Sequence, residues 1–116
     1  MLAPDLGVLM AFDTVFPANT HEFTAPAHFD HWIETVKSYQ ALERQGYQII
    51  LTGHGRPTDF SAIPGNIRYL ETAREAFAKA NTAQDYAGRM NAAFPDYAQL
   101  GWIEFSSGLL YRWVVR

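Results

Sequence analysis

Two residues of this 116-residue chain, a carboxylate and an imidazole, stand where chemistry is easiest to build. Asp13 directly follows the apolar run 6–12, and His54 follows the apolar run 47–51 within Leu51-Thr52-Gly53-His54-Gly55-Arg56-Pro57. A strand that ends in Gly-His-Gly delivers one imidazole to the rim of a sheet. The flanking glycines let the backbone turn sharply and let a ligand or metal approach closely. Carboxylate oxygen and imidazole nitrogen are both ordinary ligands of zinc and similar divalent metals. One of each, at two strand ends, makes half of a metal site.

The elements that must position these groups follow from the pattern of apolar residues. The segment Gly7-Val8-Leu9-Met10-Ala11-Phe12 is short and apolar throughout, which predicts a strand covered on both faces. Residues 16–27 carry two prolines and several polar side chains and read as a long loop. Asp30 is placed to cap a helix running to about residue 45, with Trp32, Ile33, Val36, Tyr39 and Leu42 along one stripe. Gly46 is placed to end that helix in a left-handed conformation. The strand 47–51 follows at once, so strand, loop, helix and strand form a βαβ-like unit that favours parallel pairing.

Pro57 and Pro64 bracket a second loop in this reading, with Asp59 as a cap. A helix over 66–80 would present Ile67, Leu70, Ala73 or Arg74, and Phe77. Thr82 and Asp85 form a capping-box pattern opening a further helix with Tyr86, Met90 and Phe94 on one side. The tail 96–115, rich in large apolar residues, is expected to be helical.

This inventory is α/β with few strands and a helix-rich C-terminal region, in a single domain spanning residues 1–116. It is also unbalanced, because two strands make a poor sheet while the helices carry much aromatic surface. Either the chain packs against something else, or helix-on-helix packing absorbs the excess.

Composition narrows the function classes. Hydrophobic residues at 48% argue for a folded chain, and a net charge of −3 with scattered basic residues gives no electrostatic reason to expect nucleic acid. Cys is absent, so any metal must be held by His and carboxylate. No apolar run approaches the roughly 20 residues that span a bilayer, and the N-terminus lacks the features of a secretory signal. A cytoplasmic protein without membrane partners is the expectation.

Asp13 after an apolar strand, the Phe16-Pro17 loop with its histidine, and a helix leading to Thr52-Gly53-His54-Gly55 together resemble the C-terminal half of the metallo-β-lactamase-fold hydrolases. The likeness continues through Tyr69-Leu70 and Phe94-Pro95-Asp96-Tyr97, and so covers nearly the whole chain. It implies half of an αββα sandwich, with the active site along one edge between the two halves. It implies Asp13 as the bridging carboxylate and His54 as the final histidine ligand of the second metal, zinc or another divalent ion. It also implies His21 beside the substrate pocket. The family's His-x-His-x-Asp-His motif belongs to the other half, and no two histidines of this chain are separated by a single residue.

A catalytic zinc needs three protein ligands plus a water, and Asp13 with His54 supplies two. The expectation is therefore a hydrolase portion that is inactive alone and needs a complementary N-terminal half. The competing expectation is a truncated, non-catalytic module that self-associates or binds a protein partner, because a half-sandwich leaves a sheet face uncovered. Other residues read as structural. His28 and His31, three apart at a helix start, cap, pack or meet solvent, and Arg56 supports its loop. Trp102, Phe105 and Trp113 belong to core or interface.

Overall fold

A computed structural model describes residues 1–16, 29–53, 56–97 and 108. The described residues form an α/β arrangement, mostly helical, with a small three-stranded sheet. In chain order the elements are β1 (Leu2–Ala3), β2 (Val8–Phe12), α1 (Phe29–Arg44), β3 (Ile49–Thr52), α2 (Ile63–Lys79) and α3 (Ala83–Ala93). The chain divides into two compact units, Met1–Ala18 with His31–Arg68, and Asn19–Asp30 with Tyr69–Arg116. The division falls within α1 and α2. The long loop over 17–28 and nearly all of the expected helical tail lie outside the described residues.

In the first unit the sheet has the order β1-β2-β3. β1 runs antiparallel to β2, and β3 runs parallel to it, as the βαβ-like order predicts. β1, two residues long, is a strand that the sequence reading did not include. Gly7 and Gly46 hold the starts of β2 and β3 together. Both have positive φ, 65° and 94°, and a Cβ on Gly7 would meet the Gly46 carbonyl oxygen at 3.0 Å. The Gly7 carbonyl accepts from the amides of Gln48 (2.8 Å) and Ile49 (3.2 Å).

The expectation of a strand covered on both faces is corrected by the burial pattern. In β2 Leu9 and Ala11 are buried, but Val8 and Met10 are only half-buried and Phe12 is 57% exposed; in β3 Ile50 is buried while Ile49 and Leu51 are 43% and 38% exposed. Strand side chains alternate, so the register assembles the open face. Met10 pairs with Leu51 and, by mutual backbone hydrogen bonds of 2.7 and 3.0 Å, with Met1. Ala3 pairs with Val8, and Val8 with Ile49. Two apolar rows, Met1·Met10·Leu51 and Ala3·Val8·Ile49, thus cross one side of the sheet. A continuous apolar run signals a buried strand only where both sides are covered, and among the described residues one side here is half-buried to exposed.

The helices of this unit depart from the sequence reading at their ends. α1 begins at Phe29, so Asp30 is not its cap but lies in its first turn, where a carboxylate favours the helix dipole. Gly46 ends it as expected. α2 begins at Ile63 and includes Pro64, because proline lacks only an amide that the first turn leaves unbonded anyway. Asp59 does cap, but it caps the short 3-10 turn Phe60–Ala62 that leads into α2.

The second unit is a helical core of rings and small residues. Phe29, Tyr69, Ala73, Ala76, Tyr86, Met90 and Phe94 are buried together, with Phe77 and Tyr97 packed against them. Tyr69 and Phe94 have ring centroids 4.8 Å apart, and Phe77 meets Tyr86 edge-on at 6.3 Å. Helix-on-helix packing therefore takes up the aromatic surface of the described helices. α3 starts where its capping pattern predicts: the Thr82 hydroxyl oxygen accepts from the Asp85 amide at 3.0 Å, while the Asp85 carboxylate reaches past the cap to accept from the Asn81 amide at 3.2 Å. Asp30 pairs with Arg74 on the surface. Among the described residues, no helix is long and apolar enough to cross a membrane.

Candidate metal-binding rim

The candidate site is built where β2 and β3 end. Parallel strands finish at the same edge of a sheet, so the acid after one and the glycine after the other become neighbours. The register passes from Met10↔Leu51 to Phe12↔Thr52, which places an extra residue, a bulge, in β2. Phe12 lies beyond the bulge at φ 51°, unusual for a residue with a side chain. Its carbonyl accepts from the Gly53 amide at 2.7 Å, closing the ladder one step past β3.

Asp13 then folds back against β3. A Cβ added to Gly53 would clash with the Asp13 carboxylate oxygen and lie 3.1 Å from the Phe12 carbonyl carbon. A side chain at the first glycine of Gly-His-Gly would thus have to push the acid aside and crowd the Phe12 backbone, and the group lying against this glycine is the acid. Gly53 immediately precedes His54 in the sequence. His54 and Gly55 lie outside the described residues, as do His21 and His28. His31 is exposed in the first turn of α1. Among the described residues there is no group of three His, Cys, Asp or Glu able to hold a metal ion.

The turn that carries Asp13 is secured by neighbouring helices of the same unit. The Thr14 amide (3.1 Å) and hydroxyl (2.6 Å) both donate to the Ala11 carbonyl. The Trp32 indole N–H of α1 donates to the Thr14 carbonyl at 2.9 Å, and the Tyr39 hydroxyl lies 3.2 Å from that of Thr14. Asn66 of α2, only 3% exposed, reads both backbone groups of Phe16. Its Oδ1 accepts from the Phe16 amide, and its Nδ2 donates to the Phe16 carbonyl and to that of Ala62, all at 2.9 Å.

Sequence reasoning did not single out Asn66, although a signal existed. It shares a helix face with Ile63, Leu70 and Ala73, all buried, and a lone amide on an apolar face needs internal partners. Trp32 was assigned to the apolar stripe for its ring, and its donor went unused. Elsewhere in this unit an open trough lined by Gln40, Glu43, Arg44, Phe60, Ile63 and Pro64 contains none of the predicted site residues.

Compared with known proteins, the chain matches no family model, no curated protein and no solved structure.

Proposed function

We propose that this chain is the C-terminal portion of a metallo-β-lactamase-like hydrolase, supplying one carboxylate and one imidazole to a divalent-metal site. The observation that carries the reading is the packing of the Asp13 carboxylate against Gly53, at the adjoining ends of two parallel strands. Asp13 and His54 would hold the metal, and His21 would border the pocket. Bound zinc lowers the pKa of its water to about 7 and polarises a carbonyl oxygen, chemistry suited to an ester, lactone, thioester or amide. Two donors fall one short of the three that catalytic zinc takes from protein. A complementary half supplies the rest, and the chain alone is inactive.

Zinc titration calorimetry on the purified chain tests this, alongside a hydrolysis panel of lactone, thioester and β-lactam. Weak zinc binding abolished by Asp13→Asn and by His54→Ala, without turnover, is the expected result. Zinc binding indifferent to both substitutions overturns the reading. So does metal-dependent turnover by the chain alone, as far as the need for a second half is concerned.

A second reading, a non-catalytic module that self-associates, is favoured by the two apolar rows on the open sheet face. Contiguous apolar surface of this kind marks interfaces more often than free surface. Sedimentation at micromolar concentrations distinguishes the two: a monomer that stays monomeric counts against self-association.

A further inference from the structure

Three features converge on the short stretch before and after Asp13, and none is needed merely to leave a sheet. β2 carries a bulge, which bends a strand and re-aims the side chain that follows. Phe12 adopts a left-handed backbone although its side chain is 57% exposed and gains little packing in return. The backbone on both sides of Asp13 is then fixed: Phe12 by Gly53, Ala11 by Thr14, Thr14 by Trp32, and Phe16 by Asn66.

A connection with no further duty would relax the bulge and place glycine at residue 12. Here an unfavourable conformation is held by buried, directional bonds from two helices. Such over-determination is typical of a group whose orientation matters.

We infer that Trp32 and Asn66 are positioning residues for Asp13, holding the bulged turn so that its carboxylate stays against Gly53 at the end of β3. Neither touches the carboxylate. Each acts through a backbone group, Trp32 through the Thr14 carbonyl and Asn66 through Phe16. The consequence for metal binding rests on the reading of Asp13 as a ligand, whereas the orientation of the carboxylate does not. Loss of an outer-shell partner commonly lowers metal affinity about 10–100-fold. A single bond acting through the backbone is expected near the lower bound.

The experiment follows the side-chain carboxyl ¹³C resonance of Asp13 by NMR at one fixed neutral pH, without metal, in the wild type, Trp32→Phe and Asn66→Ala. Trp32→Phe keeps the ring and removes only the donor, so it remains informative if Asn66→Ala does not fold. The expected result is a displaced Asp13 resonance, with those of Asp30 and Asp85 unmoved. A merely structural role lowers stability and leaves the Asp13 resonance where it lies in the wild type. An unmoved Asp13 resonance in folded Trp32→Phe overturns the inference.

Zinc calorimetry on the same proteins answers the separate question. A wild type that binds zinc, weakened about tenfold in Trp32→Phe, supports both the ligand role and the positioning role. A wild type without zinc affinity overturns the ligand role alone, and the NMR result still decides the positioning.

Discussion

Around Asn66 in the first unit, three amide hydrogen bonds hold short pieces of backbone. Around Tyr86 in the second, rings, alanines and a methionine fill a helical core. The two regions use different physics for different ends. Packing is non-directional, tolerates small adjustments and scales with area. A hydrogen bond to a buried backbone group fixes one atom in one place and is costly to leave unmade. The first unit needs that exactness because its sheet ends in an acid held against a glycine, whereas the second needs only to fill space.

The contrast is testable, and the largest effect belongs to the packed region. Tyr86→Ala removes a fully buried ring and is expected to cost about 3–5 kcal/mol in chemical denaturation. Hydrogen exchange should localise the loss to α3 and to α2 from Tyr69 onward. A loss spread evenly over β2 and β3 would break the distinction between the two regions.

Gly53→Ala acts on the directional side. Its Cβ has no room beside the Asp13 carboxylate and the Phe12 carbonyl carbon, so a loss of about 1–3 kcal/mol is expected by the same denaturation. Zinc affinity, where present, should fall with it. An alanine there that leaves both unchanged would mean the contact at the rim carries little. Next comes Thr82→Ala, which removes the cap of α3 and should cost about 1 kcal/mol.

Smaller still is the effect of Leu51→Thr on the open sheet face, expected within about 0.5 kcal/mol for a partly exposed site. Its value lies in sedimentation, where loss of any self-association would assign that association to this face. The smallest effect concerns acid. The hydroxyl and then the amide of Ser61 hold the Asp59 carboxyl below its ordinary range. A lowered folded value means the stabilisation is present above the unfolded value of about 3.9 and fades as pH falls through the folded one. Wild type and Asp59→Asn should therefore converge in melting temperature as the medium is acidified below that range. The exposure of Asp59 keeps the difference slight and sensitive to salt.

Much of the scaffold was legible because it depends on local rules. Thr82 with Asp85 announced a helix start, Gly46 a helix end, and the order of elements a parallel pair. What was not legible depends on partners distant in sequence. The span of β2 could be read from its apolar run, but not which face would be covered, since that is decided by what packs there. The bulge and the positive φ of Phe12 left no compositional trace, because phenylalanine is an ordinary strand residue. The glycines around His54 read as making room for a ligand or metal, and nothing local in the sequence shows that the group lying against Gly53 is Asp13, forty residues earlier. Asp30 reads as a cap in the sequence, but a two-residue shift in where α1 begins changes an acid's task from capping the first amides to favouring the dipole from within the first turn.

The sheet's borders carry one more consequence. On one side β1 is only two residues long, and on the other Thr58 bridges to Ile50 with backbone bonds of 2.7 and 2.9 Å. Among the described residues, neither border offers a long row of unsatisfied amides on which a foreign strand could template. A visiting molecule can meet this sheet broadside, yet it finds little purchase for lengthening it strand by strand into a fibril.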